Sequence, residues 1–219
     1  ERLEQHDMTN AKVKTYVAGG TTRCVQAAFR MIVSTLVGAD PGEARADVLT
    51  GFVEGRGTWQ FKMMLALADL QLNVIDHELF EFEKFIVDPA AAIQDQVQDS
   101  HVAQLILAET DVMAEIDAAR RCLNSPKIKL IRGVPSAEDL CAQVAAGRLV
   151  MCNVNLQVLE GKPEREGHIL LVERIDGDLV VAHDPGPKGG LAREFDRDLF
   201  LRAWRSPSTA MANYISVWK

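Results

Sequence analysis

Two apolar runs, GHILLVERI at 167–175 and DLVVAHD at 178–184, flank Asp176-Gly177, and no other stretch restricts the fold of this chain so tightly. Short runs rich in Val, Ile and Leu suit a pleated, buried surface. Asp-Gly between two such runs is the strongest short-range signal for a β-hairpin. IKLIRG (128–133), LVMCNVNL (149–156) and NYISVW (213–218) read as further strands. Between them SAEDLCAQVAAG (136–147) reads as a helix, with Ser136 and Asp139 forming a capping box and Gly147 at the C′ position. Asp196 starts a short helix carrying Leu199, Phe200 and Trp204.

Before Pro126 the rhythm is helical. From Thr22 onward, Cys24, Ala27, Ala28, Met31, Ile32 and Leu36 recur at helical spacing, and Gly38 supplies a stop. Asp40-Pro41 predicts a second helix, with the aspartate as N-cap and the proline in its first turn. Thr58 predicts the cap of a third, turning Trp59, Met63, Leu67 and Leu70 inward, and residues 93–121 predict one or two more. No linker divides the 219 residues, and a chain of this length suffices for one core. The expected architecture is a single α+β domain, residues 1–219, whose N-terminal helical half packs on a C-terminal antiparallel sheet.

Charge and cysteine content narrow the function classes. A net charge of −7 offers nucleic acid or an anionic membrane no electrostatic attraction. No apolar run approaches the roughly 20 residues that span a bilayer. The four cysteines, Cys24, Cys122, Cys141 and Cys152, contain no CxxC pair, which argues against structural zinc. They are too sparse for a disulfide scaffold, so a reduced, cytoplasmic protein is expected. The chain begins at Glu1, which is compatible with a removed signal peptide.

Cys24 stands where TTR gives way to the apolar helix at 24–36. With Thr21 or Thr22 as N-cap, the sulfur lies in the first turn, where free N–H groups and the helix dipole favour a thiolate. The competing reading is a small hydrophobe on the buried helix face, the commoner fate of a cysteine. A nucleophile needs a base. His6 lies near the terminus, His77 follows LNVID, and His101 falls within a predicted helix. His168 starts a strand whose hairpin partner ends in HDPGP (183–187), the geometry that orients an imidazole by a carboxylate.

Side-chain parity makes that pairing specific. A two-residue turn at Asp176-Gly177 would set His168 opposite Pro185, with His183 on its face and Asp184 turned away. A three-residue loop, or a bulge, would set Asp184 opposite Leu170 and within diagonal reach of His168. The first arrangement suggests a weak metal site at His168 and His183; the second, a Cys-His-Asp site. A third reading is a metal-dependent hydrolase using His168, His183 and Asp184.

CVQAAFRMIVSTLVG early in the chain, together with GHILLVERIDGDLVVAHDP late, resembles the C39-like branch of the papain-like cysteine peptidases. The resemblance covers 21–38 and 128–218. It implies a papain-like fold with no metal or organic cofactor, Cys24 as nucleophile, His168 as general base and Asp184 as the residue that orients it. Two positions depart from the family pattern: Ala18 stands where a glutamine helps form the oxyanion hole, and Val25 follows the cysteine in place of glycine. Oxyanion donors would then be the Cys24 N–H and a neighbour such as Thr22.

The expected activity is hydrolysis or acyl transfer at a peptide, amide or related acyl bond of a peptide or small substrate. The alternative is a catalytically weak papain-like domain that serves as a binding module. Residues 81–121 have no counterpart in the matching motifs and are expected to form a helical insertion: a lid, a substrate-reading surface, a homo-oligomer contact, or helices that only pack on the core. Cys141 and Cys152 are expected in the core and Cys122 at the surface. Gly19-Gly20 is read as backbone freedom before a helix.

Overall fold

Among the described residues, seven strands hydrogen-bond into one sheet: β1 (Asn73–Glu78), β2 (Ile128–Arg132), β3 (Leu149–Asn155), β4 (Gly167–Asp176), β5 (Leu179–His183), β6 (Arg193–Asp196) and β7 (Tyr214–Trp218). Their order is β2-β1-β7-β3-β4-β5-β6. The computed structural model describes residues 13–219 except 15, 17, 19–21, 98, 164–165, 187–189 and 191. His6, Gly19, Gly20 and Thr21 lie outside the described residues. None of the described helices is long and apolar enough to cross a membrane.

The sheet is not wholly C-terminal or wholly antiparallel. β1 comes from the first half of the chain, pairs parallel with β2 and antiparallel with β7. Its sequence, NVIDHE, reads poorly as a strand because Asp76 and Glu78 occupy positions that alternation assigns to solvent. Both carboxylates are in fact buried.

The helices are α1 (Cys24–Leu36), α2 (Glu43–Thr50), α3 (Phe61–Asp69), α4 (Phe82–Val87), α5 (Pro89–Val97), α6 (Ser100–Glu109), α7 (Val112–Leu123), α8 (Ala137–Ala145), α9 (Leu156–Leu159) and α10 (Arg197–Trp204). They cover both faces of the sheet. On one, Phe29 and Ile32 of α1, Met63 and Leu67 of α3, and Ala119 of α7 pack with Met151 and Leu171. On the other, Leu140 of α8 and Phe200 and Trp204 of α10 pack with Val150, Cys152 and Leu170. The central strand β3 therefore buries alternate residues in two cores, which explains its nearly unbroken apolar sequence.

Several helix starts differ from expectation. α2 begins after Gly42, because the Asp40 side chain accepts the Gly42 N–H at 2.9 Å and pairs with Arg30 instead of capping. α3 starts at Phe61, since the Thr58 hydroxyl accepts from the buried Gln26 amide at 3.1 Å. α1 has Arg23 as N-cap, with no side-chain capping bond. The box at Ser136 and Asp139 is present as read.

Residues 81–121 contain α4, α5, α6 and most of α7. α7 packs against α3, α4 and β2, so this end of the block belongs to the core. Cys122 is sealed there, contrary to its expected exposure, with its thiol donating to the Phe61 carbonyl at 3.4 Å. Burial pushes that thiol up to about 12. Cys152 is also sealed, and burial raises it strongly. Cys141 is only half-buried, with Arg197 Nη2 at 3.7 Å from its sulfur.

Candidate active site

The sulfur of Cys24 sits at the first residue of α1 and is half-buried, neither sealed in a core nor free in solvent. Arg23 uses its side chain elsewhere, on Asp47, Glu43 and Glu54 and over the Phe52 ring at 4.1 Å. The first intrahelical bond runs from the Ala27 N–H to the Arg23 carbonyl, 3.0 Å. The earlier N–H groups, that of Cys24 included, gain no bond from the cap side chain, so the positive end of the helix is directed at the sulfur's surroundings. Thr22 forms the half-buried turn just before.

α1 packs against β4, the strand that carries His168 opposite Val154. How Asp184 arrives beside His168 depends on one unpaired residue. Asp176 pairs with Leu179, so the turn is Gly177-Asp178, with Gly177 at φ 54°. Continued evenly, that register would set Asp184 opposite Leu171, on the face away from His168. Instead a bulge at Glu173 shifts the pairing between Val172 and Arg174, and Leu171 faces His183. Extended past the last pair, the shifted register points Asp184 to the side of Leu170 and Gly186 to that of His168, as the 3.0 Å from a Gly186 Cβ to His168 Cε1 requires.

His168 Nε2 lies 2.6 Å from Asp184 Oδ1, with both side chains buried. The same oxygen accepts the Gly186 N–H at 2.9 Å, while Oδ2 takes the Arg193 guanidinium. A Cβ on Gly186 would lie 3.0 Å from both Asp184 Oδ1 and His168 Cε1, so only glycine leaves room for the pair. With Nε2 committed to Asp184, Nδ1 is the ring nitrogen left for the sulfur. Cys24 lies near enough to add to the upward pull on the ring, although no hydrogen bond between its sulfur and the ring forms among the described residues.

Electrostatics follow from these contacts. Burial pulls the His168 pKa down, but Asp184 and Cys24 together outweigh it and hold it at about 9. Burial raises Asp184, yet the bonds from His168 and the Gly186 N–H, with help from Arg193, bring it down to about 2. At neutral pH the ring is therefore an imidazolium beside a carboxylate. The distant parts of the chain are also fastened by backbone: the Ala18 N–H donates to the Pro185 carbonyl at 2.7 Å. The stretch leading to Cys24 is thus tied to the loop that carries Asp184.

Ala18 is buried and brings no side-chain donor to the cleft. The remaining histidines stand apart. His77 is in β1 with Nδ1 3.2 Å from the Tyr214 hydroxyl, and His101 is exposed on α6. His183 Nδ1 accepts the Ala192 N–H at 3.2 Å, and its Nε2 lies 2.9 Å from a Glu173 oxygen at an angle short of a hydrogen bond. His168, His183 and Asp184 are thus not gathered as ligands, and among the described residues no group of three could hold a metal ion. Arg193 and Gly186 were not legible from sequence. Arg193 lies on β6, the short strand REFD paired with β5, and an unrecognised strand hides its neighbours. No protein-family model and no curated protein matches the chain.

Proposed function

We propose that this chain is a papain-like, C39-like thiol enzyme that hydrolyses or transfers a peptide, amide or related acyl group. The observation that carries the reading is a buried imidazole bonded to the Asp184 carboxylate, on the strand against which the helix that starts at Cys24 packs. Cys24 Sγ attacks the carbonyl carbon, its proton having passed to His168. A C–S bond forms, the C–N bond breaks, and His168 returns the proton to the departing nitrogen. Neutral His168 then takes a proton from water, whose oxygen attacks the thioester, and the thiol leaves reprotonated. An amine or thiol in place of that water gives transfer. Asp184 holds the ring throughout, and Arg193 positions Asp184. The Cys24 N–H, with Thr22 beside it, supplies the oxyanion donors. The four free thiols suit a reducing compartment such as the cytoplasm.

Iodoacetamide at neutral pH tests this directly. Cys122 and Cys152 are sealed, so Cys141 is the internal reference. Mass mapping should find Cys24 modified well ahead of Cys141, and His168→Gln should slow the Cys24 reaction toward the reference rate. Equal labelling of the two in the native protein would sink the reading. Cys24→Ala should abolish turnover while changing stability by less than about 1 kcal/mol, because a half-exposed sulfur leaves no closed cavity.

A second reading, a binding module on the same fold, is favoured by Ala18. Losing one oxyanion donor typically costs about 10²–10³ in rate. Slow turnover with tight substrate binding would mark that case.

A further inference from the structure

A cavity of about 340 Å³, not used by the triad, lies between the sheet end and helices α5 and α6. That size falls within the usual range for small-ligand pockets, about 300–1,000 Å³. Its register connects it to the candidate active site. Tyr214 pairs with both His77 and Cys152, which aligns Glu78, Asn213 and Asn153 across three adjacent strands. Asn153 in turn pairs with Ile169, the residue after His168. Glu78 is therefore three strand spacings from β4, about 14 Å. A second, smaller depression shares Asn153 and Met211 with the cavity and reaches Gly167, the residue before His168. From the other wall, Gln26, two residues past Cys24, bonds to Thr58 on the cavity rim.

The lining combines three aromatic rings, Trp59, Phe61 and Phe80, with the carboxylates of Glu78 and Glu109. Trp59 stacks on Phe61 at 5.3 Å and donates to the Thr110 hydroxyl at 3.1 Å, so this wall is held in place. Glu78 is itself more than nine-tenths buried and accepts from Gln60 at 3.2 Å. Burial raises its carboxyl, while the neighbouring buried acid Asp76 and the Gln60 amide pull it back down. Among the described lining residues there is no lysine, arginine or histidine to supply a counter-charge.

We propose that this cavity is the specificity pocket of the enzyme, and that it takes a cationic group, guanidinium or ammonium, on an apolar stem. Aromatic rings attract a cation through their faces and cover its methylene stem. The carboxylates provide the opposing charge, and Asn213 and Asn153 continue the polar path to the Gly167 end of β4, on the sheet face that α1 covers. The substrate class is accordingly an amide or peptide with a basic side group near the scissile bond. The proposal rests on the thiol-enzyme reading.

The test uses Nα-benzoyl-arginine amide and its neutral isostere Nα-benzoyl-citrulline amide, titrated calorimetrically into the full chain carrying Cys24→Ala. The arginine compound should bind about tenfold tighter or better, the scale of a partly desolvated cation–π and charge-assisted contact. Glu109→Gln, at an exposed position, and Glu78→Gln should each reduce that ratio. Equal binding of the two compounds, binding of neither, or a ratio indifferent to both substitutions overturns the proposal. Turnover is read separately on the wild type. An arginine preference in a protein without turnover would retain the pocket and sink the enzyme reading; equal binding in an active protein would do the reverse.

Discussion

His168 is the central group of the candidate site, and its titration has a sign that can be checked. Its folded pKa of about 9 lies above the ordinary 6.5, so the stability it contributes is complete below 6.5 and is lost as pH rises through about 9. Asp184, held at about 2 against an ordinary 3.8, contributes stability present above 3.8 and lost as pH falls through about 2. The His168–Asp184 bond enters both shifts, so the two are not added. A displacement from 6.5 to about 9 is equivalent to about 3 kcal/mol. The melting temperature of the wild type should therefore exceed that of His168→Gln most between pH 3.8 and 6.5, with the gap closing above about 9. A gap that widens toward alkaline pH would show that the ring is held neutral.

At the scale of the element, the β4–β5 hairpin is the device that forms the His–Asp pair. Glu173 is the unpaired residue of the bulge, and the pairs on either side do not depend on it. Deleting Glu173 should let the ladder close and leave His168 beside Asp184, with the ring's NMR titration still far above 6.5. Deleting Leu170 removes one residue between His168 and the Leu171–His183 pair, which turns the imidazole to the opposite face. In that variant the titration should fall back toward the ordinary value. If ΔGlu173 loses the high titration as well, the bulge does more than absorb parity.

At the scale of the molecule, residues 81–121 are part of what makes the protein fold. Phe82, Phe85, Ile93, Ile116 and Ala119 are buried in the same core as α1 and α3. Truncating one large buried side chain costs about 2–5 kcal/mol, against a total stability of about 5–15 kcal/mol for a domain. Excising 81–121 should therefore abolish cooperative urea unfolding. A folded, cooperatively unfolding remnant would show that the block is an addition to a complete core.

What the chain carries locally could be read from it: the strands at 128–132, 149–155 and 167–176, the Ser136 box, the helix starting near Cys24, and the residues Cys24, His168 and Asp184 as candidates. Periodicity, caps and turn residues act over a few positions, so a few positions are enough to show them. Three things were decided only by tertiary structure. β1 is a strand because its neighbours bury Asp76 and Glu78, against their own preference for water. Cys122 is sealed because α7 lies on α3. The side of the sheet on which Asp184 emerges was set by leaving Glu173 out of the ladder, and Arg193 reached that carboxylate from a strand without local signal. Each depends on contacts between residues far apart in sequence, where burial and register outweigh the propensity of any short segment.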